Sequence, residues 1–145
     1  MSMIVTSSWQ FWAFMAAIFA ALTAIFAKIG VEDINSDLAT LIRTMIILVV
    51  LGLILLATGQ LRAPAELSPR SLLFLLLSGL ATGASWLAYF RALKLGEASR
   101  VAPIDKLSVA LVAILGVSLL GERLSAWNWI GILLTVAGAV LVGFG

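Results

Sequence analysis

Four hydroxyl-bearing residues, Ser78, Thr82, Ser85 and Tyr89, recur at i, i+4, i+7 and i+11 within a mostly apolar stretch. On a helix this spacing lays them along one face, as a polar stripe. Gly79, Gly83, Trp86 and Phe90 run beside it at the same spacing. An indole N–H in apolar surroundings needs a partner, so Trp86 is grouped with Ser78, Thr82, Ser85 and Tyr89 as the lining of a substrate cavity. The competing arrangement bonds each hydroxyl back to its own helix and lets Trp86 fill a gap in the packing. Charges inside apolar runs are the second group. Arg43, Asp105 and Lys106 interrupt such runs, and desolvated charges in a bilayer pair or line a water-filled path. Arg43 with Asp105 is the expected ion pair. Together with Lys106 they would form a charged gate, or an anchor for a zwitterionic or anionic group. Asp105 and Lys106 are sequence neighbours, about 100° apart on a helix, and are not expected to share a face. Lys28 and Arg91 are further candidates. All five lie within about two turns of a helix end, where long side chains reach headgroups and where Asp105 suits a positive helix N-terminus.

Other chemistries fall by inventory. The chain has no Cys and no His, which removes thiolate nucleophiles, disulfides, the usual general base and the commonest metal ligands. With no paired carboxylates either, an enzyme is not expected, and neither a metal nor a cofactor. Nine basic residues spread along the chain and a net charge of +2 give no nucleic-acid footprint. A proton-coupled exporter of cations needs a mid-membrane carboxylate. The first apolar run offers none, being apolar from Ile18 to Thr23 apart from Thr23 itself.

The elements that must position these residues follow from composition. Of 145 residues, 63% are hydrophobic and 11% charged, against about 25% charged in a soluble domain. At roughly 20 residues per membrane-spanning helix, five spans and their loops consume the whole chain. The expectation is an all-α integral membrane protein, one unit over residues 1–145, with spans near 9–29, 38–58, 71–93, 102–120 and 126–142. Thr6, Ser7 and Ser8 lead into the first span, which is long enough to be retained and not a cleaved signal peptide. Glu32 to Asp37 form a loop ending in N-cap candidates, Pro64 and Pro69 lie in the second loop, and Lys94 to Arg100 form the third. Pro103 suits the first turn of span four, which should be the shortest of the inner four. Ser125 caps span five after the turn Gly121 to Leu124. Trp9, Trp12, Trp127 and Trp129 stand where an interfacial aromatic belt would place them.

Small residues mark two further faces: Ala13, Ala16, Ala17, Ala20, Ala24 and Ala27 in span one, and Gly131, Thr135, Gly138 and Val142 in span five. Such faces, with Gly79 and Gly83, let backbones approach closely, within a subunit or between subunits. Five spans put the termini on opposite sides. Arg62, Arg70 and Arg123 then lie on the N-terminal side, and Lys28, Lys94 and Arg100 on the other. Three against three gives no clear orientation, unless Arg43, Arg91 and Lys106 snorkel to the second side and make it cytoplasmic.

Spans three and four carry a family likeness. Gly83 to Gly96, with its aromatic cluster and Ala92-Leu93-Lys94-Leu95-Gly96 ending, resembles the span-three pattern of the EamA-like drug/metabolite transporter superfamily. Ala98-Ser99-Arg100-Val101-Ala102-Pro103-Ile104 resembles its opening of span four, and Leu120-Gly121-Glu122-Arg123 its Leu-Gly-Glu-Arg turn. Trp129, Gly131 and Gly138 follow as in that family, and Trp12, Ala16 and Phe26-Ala27-Lys28 fit in span one. Most members have ten spans made of two such units. This chain resembles the single-unit, five-span bacterial and archaeal branch, for which Pro103-Ile104-Asp105-Lys106-Leu107-Ser108 is a typical opening. Ten-span relatives often carry a proline where Ser108-Val109 stand, so details of their site are not carried over. The resemblance implies a secondary carrier in the inner (cytoplasmic) membrane, moving small metabolites or drugs by alternating access through a cavity lined by spans one to four. A unit with an odd number of spans inverts on duplication, so an antiparallel homodimer in the lipid bilayer would mimic the ten-span carrier. A paralogous hetero-partner, a non-transporting accessory subunit, or a flippase of a lipid-linked substrate are the alternatives.

Overall fold

The computed structural model describes residues 8–60 and 68–145. Thr6, Ser7, Arg62 and Pro64, which the sequence places in the lead-in and second loop, lie outside the described residues. The described chain is helical, with α1 Trp9–Gly30, α2 Ser36–Ala57, α3 Pro69–Leu95, α4 Ala98–Asp105, α5 Ser108–Leu119 and α6 Ala126–Phe144. Among the described residues, five stretches are long and apolar enough to cross a membrane: α1, α2, α3, the continuous run Ala98–Leu119 formed by α4 and α5, and α6. The all-α expectation with five candidate spans holds.

Polar side chains set the helix starts. Asn35, in extended conformation, accepts the N–H groups of Asp37 and Leu38 and so caps α2, satisfying donors that a helix start leaves without partners. Ser125 and Asn128 form a reciprocal capping box at the start of α6. Gly121 lies at φ +69° in the preceding turn, a conformation open to glycine without steric cost.

Two expectations change at the fourth span. The third loop is not Lys94 to Arg100: α3 runs to Leu95 and α4 begins at Ala98, leaving Gly96 and Glu97 as the connection. Ala98, Ser99 and Arg100 are polar enough to read as loop, yet they supply the first helical turn. The span is accordingly 22 residues long, level with α1 and α2 and not shorter than either. Pro103 therefore sits inside α4 and not in its first turn. Its missing N–H removes a bond to the carbonyl of Ser99, and the helix ends two residues later. From there Lys106, Leu107, Val109 and Ala110 donate to carbonyls three residues back, a tighter winding that joins α4 to α5.

The chain divides into two compact units. One holds α1 up to Lys28 with α4, α5 and α6; the other runs from Ile29 to Lys94 and holds α2 and nearly all of α3. In the first unit α4 packs on α6 at Gly143, where an added Cβ would fall on the Cδ1 and Cγ1 atoms of Ile104. Helices in lipid gain little from apolar burial and associate through such close contacts. Gly143→Ala is expected to destabilise the chain by about 1–3 kcal/mol through overpacking, and Ile104→Ala in the same chain should relieve most of it. Thermal unfolding in detergent, run as a double-mutant cycle, checks this.

Elsewhere large apolar side chains face outward along every span, as lipid-facing helices require. The small-residue faces are open in part: on α1, Ala24 is buried and Ala27 half-buried, whereas the rest of that face is exposed. Ala20 is exposed, and no described atom lies within 4 Å of where a Cβ would stand at Gly79, Gly83, Gly131 or Gly138.

Candidate functional site

The second unit gathers one sequence-predicted cation and one sequence-predicted aromatic that spacing alone had left in separate groups. Arg43 lies about two turns into α2, and Trp86 about two and a half turns before the end of α3. The Arg43 guanidinium sits over the Trp86 ring, 4.3 Å from its centroid, and 5.4 Å from that of Phe90. Ring faces carry negative potential and attract a guanidinium, by up to about 2 kcal/mol when water is excluded. Arg43 is half-buried, as are Trp86 and Tyr89, while Phe90 is buried. The Tyr89 hydroxyl lies within electrostatic range of Arg43.

Arg43 and Asp105 each meet a partner within their own unit. Asp105 holds the ammonium of Lys106 at 3.0 Å. Sequence adjacency on a continuous helix had pointed these two side chains apart. The helix stops at Asp105, and the tighter turn through Lys106 with a long lysine stem brings the charges together. This pair stands beside the proline-induced interruption of the fourth span.

The polar stripe on α3 is divided in behaviour. Thr82 donates to the Ser78 carbonyl at 2.8 Å, so its hydroxyl is satisfied by its own helix, as the competing reading has it. Ser78, Thr82 and Ser85 are exposed on the single chain. In α2, Thr40 and Thr44 likewise donate to Ser36 and Thr40 carbonyls.

Lys28 and Arg91 have partners at helix ends. Lys28 donates to the Gly96 carbonyl at 3.0 Å, within the first unit, in the connection that leads into α4. Arg91 makes a two-pronged contact with Asp37, Nε to Oδ1 at 3.1 Å and Nη2 to Oδ2 at 2.7 Å. Lys94 donates to the Ile34 carbonyl. These contacts tie the start of α2 to the end of α3. The Asp37–Arg91 side chains are 46% and 61% exposed, so the pair positions the two helices more than it stabilises them. Asp37 and Phe90 are the residues of this region that spacing did not single out as partners. Their signal lies between helices, not along one.

Comparison with known proteins agrees with this architecture. The model of the EamA-like transporter family matches residues 7–144. A protein from a Sinorhizobium species, named as an uncharacterized transporter in the cobO 3′ region, is 64% identical over 137 residues, covering 94% of this chain and 97% of its own length. No solved structure matches the chain.

Proposed function

Because the chain belongs to the EamA-like transporter family, and is thus a multi-pass membrane transporter, we propose that it is half of a dimeric secondary carrier of the inner membrane. The dimer moves small metabolites or drugs by alternating access. One copy brings five candidate spans, and two copies in opposite orientation bring ten. The open faces at Gly131 and Gly138 of α6, and at Ala20 of α1, offer the close approach that a second subunit needs. Substrate contact falls to Ser78, Thr82, Ser85, Trp86 and Tyr89, with Arg43 and the Asp105–Lys106 pair as charged gate or anchor.

The observation that carries this reading is the Arg43–Trp86 contact. It brings a permanent cation against the proposed lining of span three, about two turns into a candidate span. Such a charge is expensive in lipid and is retained where it lines a pathway. Purified protein in proteoliposomes should take up solutes from a mixture of small metabolites without ATP, read by mass spectrometry. Arg43→Ala and Trp86→Ala should each lower that uptake about tenfold, each removing the contact that fixes the other. Unchanged uptake in both variants contradicts the site assignment.

A further inference from the structure

The two arginines of the second unit are in opposite states. Arg91 is fully engaged, its fork closed on both oxygens of Asp37. Arg43 has its flat face on Trp86 and Phe90, and within its own unit its N–H groups donate to no described residue. A guanidinium that stacks by its face still presents its donors at the edge, in the plane, where they match two oxygens of one oxyanion. We propose that the in-plane edge of Arg43, held by its stack on Trp86, is a binding site for a small carboxylate carried on an apolar or aromatic body.

The charge balance of the two helices favours an anion over a cation. Asp37 is the single acidic residue of α2 and α3, and Arg91 occupies it. A cation entering against Trp86 would meet Arg43 already in place, and neither helix offers an acid to receive Arg43 once displaced. A carboxylate needs no such rearrangement. It satisfies the free donors, neutralises a charge that lipid penalises, and leaves the stack intact. Its apolar body meets the same rings and the neighbouring Tyr89. The assignment builds on the proposed lining by span three and adds to it the chemical class of the substrate and the residue that selects it.

Equilibrium dialysis of the purified full chain in nanodiscs of zwitterionic lipid tests the site without a gradient. The probes are radiolabelled benzoate, its neutral counterpart benzamide, and benzylammonium. Wild type should bind benzoate saturably, and about tenfold to hundredfold more tightly than either other probe, as a charge-assisted two-point contact implies. Arg43→Gln should lose that preference. Arg43→Lys, which keeps the charge without the planar fork, should lose most of it. Because the comparison of probes is made on the wild-type chain, a variant that fails to fold does not decide the outcome. Equal binding of benzoate and benzamide, a preference for benzylammonium, or Arg43-dependent retention of an anionic phospholipid with no benzoate binding would each overturn the carboxylate assignment. Saturable benzoate binding that depends on Arg43 supports it whether or not flux is seen. Absent flux counts against the carrier reading alone.

Discussion

A reporter fused after Gly145 is expected to score on both sides of the membrane, in comparable amounts, when the chain is expressed alone. The expectation comes from the lysines and arginines flanking the spans. Arg62, Arg70 and Arg123 stand against Lys28, Lys94 and Arg100, and it is the excess of such residues on one side that holds that side in the cytoplasm. A balance of this kind is compatible with insertion in both orientations, and on the proposed reading an antiparallel pair then assembles from one gene product. That count sets aside Arg43, stacked on Trp86, Arg91, paired with Asp37, and Lys106, paired with Asp105; with them the second side leads six to three and is the cytoplasmic one. Lys28 and Lys94 engage the backbone carbonyls of Gly96 and Ile34 as cations, and the Asp37 that engages Arg91 weighs little, since acidic residues contribute little to orientation. Two lysines appended after Gly145 should then hold the C-terminus in the cytoplasm and abolish most uptake, because the oppositely oriented partner is no longer made. Co-expression with a chain biased the other way should restore it. A strictly one-sided reporter on the unaltered chain, with uptake intact, contradicts the antiparallel homodimer and requires a parallel dimer or a paralogous partner.

The candidate spans were legible because hydrophobic length is a local property: twenty-odd apolar residues bounded by caps such as Asn35 and Ser125 need no knowledge of neighbours. Connection lengths were less legible. Ala98-Ser99-Arg100 follows Gly96 and Glu97 in a polar run, and polarity marks a loop as readily as the exposed first turn of a helix. Pro103 was misplaced for the same reason, since its position within a helix depends on where that helix begins. Contacts between helices were the least legible. Periodicity aligned Ser85 with Tyr89 and Trp86 with Phe90 on α3, but no periodicity registers α2 against α3. The Arg43–Trp86 stack and the Asp37–Arg91 pair, 54 residues apart in sequence, emerge only once both helices are placed. Gly143 escaped notice because its role depends on Ile104 of another helix, whereas Gly131 and Gly138 stood out by repetition and have open space around them.

Single cysteines placed on α3 offer the largest contrast, because the chain has no native Cys to compete. Ser78, Thr82 and Ser85 lie on one side of the helix and Leu76, Leu80 and Leu87 about half a turn away. Both sets are exposed on the single chain, so exposure alone does not separate them; what covers them in the membrane does. A thiol in lipid stays protonated and is shielded from charged reagents, whereas a thiol on a water-filled path ionises and reacts. The central claim is that the stripe of span three lines such a path. The direct measurement is labelling of the six single-cysteine variants, reconstituted in liposomes, by a charged, membrane-impermeant thiosulfonate. Cysteines at Ser78, Thr82 and Ser85 should react at least about tenfold faster than those at Leu76, Leu80 and Leu87. Equal rates on the two faces, or faster labelling on the leucine face, would contradict the account.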